Sequence, residues 1–311
     1  MPEFPSTIEK VYIYNSSHVT RELLEYLYVA IVECCQNKIE IEKVHSIEYN
    51  RDNVLYIIIN SAGFPYGPGA VYPKYFIIYQ LEPLVDRECA FNPLYTRNES
   101  YLNFLRQSIS VWDYNPGNVN ELNRVGVNNC RYVPMGYNST LSSPNILSGY
   151  EYSDSGRDFD VIFLGWANQY PRRVALLQAL RDKGLNVGNW WNMLPDEMKN
   201  VMFRGKVVLN MHVLEECRLE TVRLSITLAN CSCIVSEESM DPELDNLYRE
   251  GGVTFCTYDK LVETIFDLVQ NETKRKELAE KSFRWYSKER YVNRINDFSE
   301  LIQLPKIRPR E

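Results

Sequence analysis

"HVLEECRLETVRLSITLANCSCIVSEE", His212 to Glu238, is the stretch on which the reading of this chain turns. A charged opening runs into an apolar helix, and "CIVSEE" follows as a short strand closed by two carboxylates. The strand "KVVLNMH" precedes it, with His212 beginning the loop that leads to the helix. Glu220 falls at the helix start and Arg223 lies one turn later. A carboxylate near strand ends can take both hydroxyls of a ribose, and an arginine beside it can orient it or meet phosphate. The plainer account is a glutamate that satisfies the helix dipole and bridges to Arg223 at i,i+3.

One strand earlier, "FLGWANQYPRRV" places Gly165 after a strand, then a polar loop, then Pro171 at the first helical position. Glycine lets a ligand approach the backbone, and the helix start offers unpaired N–H groups. Arg172 and Arg173 sit in that first turn, where cations oppose the helix dipole. A diphosphate would offset them; solvent exposure is the alternative. The stretch is not G-x-G-x-x-G, which disfavours an NAD-dependent oxidoreductase.

Outward from these two stretches, strands alternate with helices in both directions. In the first half, "KVYIYNSS", "EIEKVHSI", "VLYIIINSAG", "YFIIYQLEPL", "SISVWDY" and "RYVPMGYN" read as strands. Leu23, Leu27, Ile31 and Cys34 recur at helical spacing, and Asn98 caps the helix "ESYLNFLRQS". In the second half the strands are "DVIFLGW", "GLNVGNWW", "KVVLNMH", "CIVSEE" and "VTFCTY". Helices are expected from Pro171 to Lys183, Pro195 to Phe203 and Asp259 to about Gln270, with a long helical stretch from Glu272 to Ile302. The alternation predicts an α/β protein of two doubly wound, Rossmann-like domains facing across a cleft. Residues 1–140 would form the first, 141–157 a Ser/Asn/Gly-rich linker, and 158–284 the second. A terminal helix, about 285–311, would cross back to the first domain.

The chain has 311 residues, enough for two domains of about 150 residues each. A net charge of −7 argues against nucleic acid or an anionic membrane as main partner. Eight cysteines without a C-x-x-C pair, beside three histidines, read as free thiols in a reducing compartment. "MPEFPSTIEK" carries no apolar core and no apolar run is long enough to span a bilayer, so a cytoplasmic protein is expected.

The order "FLGWANQYPRR … VVLNMHVLE … RLETVRLSITLANCSCIVSE … GGVTF" resembles the donor half of GT-B glycosyltransferases, in the group whose donor helix carries E-x-x-R and whose next strand ends in V-S-E. "YFIIYQLEPL", "VWDYNPGN" and "RYVPMGYN" resemble its acceptor half. The likeness runs from about Val11 to Trp285. It departs in two places: the E-x7-E pattern is not intact, and Cys231 stands where a glycine is common. The resemblance implies that Gly165, Asn168, Arg172 and Arg173 face the donor's diphosphate, with Arg223 able to join them. It puts Glu220 on the ribose, His212 close to the phosphates or sugar, and Trp190 and Trp191 at the edge of the base. Alternation points those two rings to opposite faces, so at least one is expected in the core.

The first half has to supply any general base. His18 directly follows the first strand, in the loop where many inverting GT-B enzymes keep a catalytic histidine, and imidazole is poised to take a proton near neutral pH. Its alternative is a helix cap shared with Ser17. Glu82 and Asp113 also end strands at the cleft, and either can be the base or bind acceptor hydroxyls. Asp158–Phe159–Asp160 copies a metal-binding D-x-D but precedes its strand, so it reads as a strand entrance. The expected function is transfer of a sugar from a nucleotide-sugar donor to a saccharide acceptor, with no metal and no further cofactor. A non-catalytic two-domain nucleotide- or sugar-binding protein is the alternative.

Overall fold

The computed structural model describes residues 8–15, 21–36, 38–49, 51–59, 64–85, 95–149, 152–295 and 297–298. The chain divides into two compact units, 1–134 with 291–311, and 135–290. Among the described residues, no helix is long and apolar enough to cross a membrane.

In the first unit the chain runs through β1 (Lys10–Asn15), α1 (Arg21–Cys35), β2 (Glu40–Val44), β3 (Val54–Ile59) and β4 (Tyr75–Gln80). It continues through α2 (Glu99–Gln107), β5 (Ser110–Asp113), α3 (Pro116–Arg124) and β6 (Cys130–Tyr132). The strands form a parallel sheet in the order β2-β1-β3-β4-β5-β6. β3 and β4, VLYIII and YFIIYQ, are buried at every position. A central parallel strand covered on both faces needs such a continuous apolar run. Asn98 caps α2 by accepting from the Tyr101 amide at 3.1 Å.

The second unit holds α4 (Pro144–Leu147), β7 (Phe159–Leu164), α5 (Pro171–Asp182), β8 (Val187–Trp190), α6 (Pro195–Met202) and β9 (Gly205–Asn210). It goes on with α7 (Thr221–Leu228), β10 (Ile234–Glu237), α8 (Pro242–Glu250), β11 (Thr254–Cys256), α9 (Leu261–Val269) and α10 (Glu272–Tyr286). Its parallel sheet is ordered β11-β10-β9-β7-β8. The terminal stretch is two helices, not one: α10 stops at Tyr286, and α11 (Tyr291–Arg294) belongs to the first unit. There the Tyr291 hydroxyl meets that of Tyr79 at 3.3 Å, and Arg131 pairs with Asp297. Three short helices, α3, α4 and α8, were not anticipated. Each announces itself by a polar residue before proline, Asn115–Pro116, Ser143–Pro144 and Asp241–Pro242.

The polar segment 141–157 lies within the second unit and is held by named bonds. Asn230, from the "LAN" of the decisive stretch, donates to the carbonyls of Leu141 and Ile226, each at 2.8 Å. Its Oδ1 accepts from the Ser143 amide at 2.8 Å. Downstream, the Tyr152 hydroxyl donates to the Lys206 carbonyl at 3.1 Å, and Arg275 pairs with Asp154. Cys231, next to Asn230, has φ of +49°, a left-handed backbone that glycine adopts at little cost. Asp158 and Asp160 enter β7 and pair with Arg204 and Lys206 at 2.8 and 2.9 Å. They sit at the amino end of the sheet, as a strand entrance should.

Asn230→Ala leaves a buried amide and carbonyls without partners. At about 1–3 kcal/mol for a buried group left unsatisfied, the unfolding free energy in urea should fall by roughly 2–4 kcal/mol. A midpoint within experimental error of wild type would show that water replaces the side chain without loss.

Candidate functional site

In the second sheet the first strand, β7, lies between the second, β8, and the third, β9. Chain direction across the sheet reverses there, and α/β sheets receive ligands at the carboxyl ends of the strands flanking that point. The loops leaving it are residues 165–170, which lead into α5, and 211–220, which lead into α7. Both decisive stretches of the sequence therefore end at one place.

Glu220 is the N-cap of α7, yet its side chain makes no capping bond. The carboxylate turns to cations instead. Oε2 is 2.8 Å from His212 Nδ1, and Oε1 is 3.5 Å from Arg223 Nη1 and 3.6 Å from Arg173 Nη2. The His212 ring is fully buried, whereas the Glu220 side chain stays 19% exposed. Burial alone would raise the Glu220 pKa, but the charges of Arg223 and His212 hold it down at about 2. For His212 burial pulls downward; the charge of Glu220, with the Cys217 thiol beside the ring, lifts it to about 10. Each thus favours the charged form of the other across the 2.8 Å contact.

Glu237, at the carboxyl end of β10, is a second such centre. It forms a two-pronged ion pair with Arg172, with Oε2 2.7 Å from Nη1, and Oε2 also accepts the His212 amide at 3.0 Å. Arg172 lies over the Tyr258 ring, 3.8 Å from its centroid, and the Tyr258 hydroxyl donates to the Arg172 carbonyl at 2.7 Å. Arg173 is committed to the backbone, donating to the carbonyls of Trp166 at 3.0 Å and Met211 at 3.1 Å. It thereby laces the loop after β7 to the loop after β9. Arg223 donates to Asn210 Oδ1 at 2.8 Å, and Asn210 is held by Ser236 at 3.0 Å. Four cationic groups, Arg172, Arg173, Arg223 and His212, thus touch two carboxylates. Arg172 and Arg223 keep 20% and 25% of their side-chain surface.

The remaining expected residues take distinct places. Gly165 is required sterically, because a Cβ there would stand 2.7 Å from the Phe163 ring. Asn168 is exposed in the loop after Gly165. Trp190 packs edge-on against Phe159, while Trp191 stacks on Trp166 with centroids 5.1 Å apart and remains half exposed. The ligating atoms of His212, Cys217 and Glu220 fall within 4.8 Å of one another, a spacing that could hold a metal ion. The two arginines on Glu220 set up a field that opposes a divalent cation there.

In the first unit Asp113 is fully buried and accepts from Gln80 Nε2 at 2.9 Å, Asn118 Nδ2 at 3.0 Å and the Asn115 amide at 2.8 Å. These bonds make it an organiser of the loops after β4 and β5. Glu82 sits in the same cluster, its carbonyl accepting from Gln80 at 2.8 Å and Asn118 at 3.0 Å. Burial raises its carboxyl pKa, toward the range in which a carboxylate takes up a proton. His18 lies outside the described residues. Sequence reasoning noted the carboxylates that close β10 but gave Glu237 no role; its position at a strand's carboxyl end was the available signal. Tyr258, one tyrosine among 22, carried none.

No family model matches the chain. Two curated relatives come from Acanthamoeba polyphaga mimivirus. Uncharacterized protein L138 is 28% identical over 53% of this chain and 18% of its own length. Uncharacterized protein L137 is 26% identical over 66% of this chain and 26% of its own. The matched region therefore spans about a fifth to a quarter of those relatives.

Solved structures match over nearly the whole chain. Sucrose-phosphate synthase from Thermosynechococcus elongatus has a TM-score of 0.65 at 9% identity, covering 94% of this chain and 98% of that one. Anabaena HepE in complex with UDP and glucose scores 0.64 at 10% identity, covering 95% and 99%. T4 phage β-glucosyltransferase with its UDP-glucose substrate scores 0.56 at 13%, covering 94% and 99%. The fold is GT-B. In this GT-B chain Arg172, Arg173, Arg223 and His212 gather around Glu220 and Glu237 at the starts of α5 and α7, and the loops after β4 and β5 gather around the buried Asp113 carboxylate.

The His212 shift has a sign that can be measured. A folded-state pKa raised above the unfolded value of about 6.5 stabilises fully below that pH, and the contribution is lost as pH rises toward about 10. Unfolding free energy measured from pH 7 to 10 should fall more steeply for the wild type than for His212→Asn. Parallel slopes would mean that the ring is neutral in the folded protein.

Proposed function

We propose that the protein is a glycosyltransferase that moves a sugar from a nucleoside-diphosphate sugar to a saccharide hydroxyl without a metal ion. The observation that carries this reading is the cationic surplus at the switch point of the second sheet, in a chain whose net charge is −7. UDP or UDP-glucose in complexes of HepE and the phage enzyme supports the donor class.

In the reaction the acceptor oxygen bonds to the anomeric carbon, the bond from that carbon to the diphosphate oxygen breaks, and the acceptor proton passes to a base. Charge builds on the departing diphosphate. Arg172, Arg223 and the first-turn amides of α5 stabilise it, the task a divalent cation performs elsewhere. The exposed edge of Glu220 receives the ribose hydroxyls, and Arg173 and His212 hold the loops that present these groups. On the acceptor side His18 or Glu82 takes the proton, with Asp113 fixing the loops around Glu82.

UDP should raise the melting temperature with concentration, EDTA should leave that shift intact, and Arg223→Ala should weaken UDP binding by roughly 10- to 100-fold. No shift with any nucleoside diphosphate would overturn the donor site. Product mass separates catalysis from binding alone: His18→Ala or Glu82→Gln should lower turnover by about 100- to 10,000-fold at constant UDP affinity. UDP binding without product from any UDP-sugar and saccharide pair would instead leave a nucleotide-binding protein.

A further inference from the structure

We infer that Glu237 is a positioning residue for the donor: it holds the Nη1/Nη2 end of the Arg172 guanidinium so that the adjoining Nε/Nη2 edge is presented to the diphosphate. This rests on the function proposed above. A guanidinium has five N–H donors in a rigid plane, and two of its edges each offer a parallel pair. Glu237 occupies the end formed by Nη1 and Nη2. The other Nη1 hydrogen goes to the His212 carbonyl at 3.3 Å. Nε–H and the second Nη2 hydrogen remain, and no partner for either is found among the described residues. They lie side by side along one edge of the plane. That is the geometry a phosphate takes in two-pronged recognition.

Three further contacts show that the plane is held as a unit. Tyr258 covers one face at 3.8 Å and anchors the Arg172 carbonyl, so neither the ring nor the backbone can swing away. Glu237 Oε2 accepts the His212 amide as well, tying the guanidinium to the loop that carries the His212–Glu220 pair. The Glu237 side chain is 4% exposed, so it does not meet a ligand itself. Glu238, the next residue, faces solvent and pairs with Arg249, which shows that only one carboxylate of "SEE" is committed to the site.

Charge and positioning predict opposite signs here, which makes the inference testable. Removing a negative charge beside Arg172 leaves the site more positive, and electrostatics alone would then tighten an anion. If Glu237 acts by orientation, Glu237→Gln loosens binding, because its amide offers one acceptor oxygen to two N–H donors and the plane can turn. The experiment is calorimetry of UDP and of uridine on wild type, Glu237→Gln, Arg172→Ala and the double variant. UDP affinity should fall about tenfold in Glu237→Gln and uridine affinity should hold. In the Arg172→Ala background the second substitution should have no further effect on UDP, since its effect passes through that arginine. Tighter or unchanged UDP binding in Glu237→Gln would overturn the inference, as would an equal loss for uridine or an equal loss in both backgrounds. Wild type binding no UDP would instead defeat the proposed function, which separates the two failures. Should Glu237→Gln fold poorly, Glu237→Asp serves: its carboxylate keeps the charge but is withdrawn by one methylene, so UDP affinity should fall at unchanged net charge. Full UDP affinity in Glu237→Asp would overturn the inference.

Discussion

A carboxylate taken out of water must be met by cations or surrender its charge, and Glu220 is met by three. His212 reaches it from the loop after β9, Arg223 from the first turn of α7, and Arg173 from the first turn of α5. Each partner comes from an element that starts at the switch point of the second sheet. The carboxylate therefore requires the loops after β7 and β9 and both helix starts to be in place together. Remove one partner and the others face an incompletely compensated charge. Nearby, Glu237 repeats the arrangement from β10, with Arg172 and the His212 amide.

The consequence for chemistry is a site more positive than its own carboxylates neutralise. The most buried cations do structural work: Arg173 laces two loops through their carbonyls, and His212 is sealed beneath Glu220. The partly exposed ones, Arg172 and Arg223, keep donor capacity toward solvent. Division of labour between two adjacent arginines follows from helix geometry, since successive side chains on a helix point about 100° apart. One turns into the loops and the other toward Glu237 and Tyr258.

Much of this was legible in the sequence. Alternating apolar strands and helices foretold parallel sheets, because continuous runs such as VLYIII and YFIIYQ suit only strands covered on both faces. Arg172 and Arg173 stood out because cations in a first helical turn oppose the helix dipole, and Glu220 and Arg223 because they start the helix that follows the end of a strand. The roles within that set were not legible. Which arginine is buried depends on where the Trp166 and Met211 carbonyls lie, and those are tertiary facts. Likewise nothing in the composition of 141–157 told of Asn230, 70 or more residues away, holding its backbone. The same limit applied to Glu237, whose partners lie on loops far apart in sequence and adjacent only once the sheet order β11-β10-β9-β7-β8 is formed.

The central claim is that the switch point of the second sheet receives a nucleoside diphosphate, and a crystal structure of the protein with UDP tests it most directly. The account predicts the diphosphate at the free Nε/Nη2 edge of Arg172 and near Arg223, with ribose hydroxyls on Glu220. UDP ordered elsewhere, or at this site with its phosphates turned away from both arginines, would contradict it.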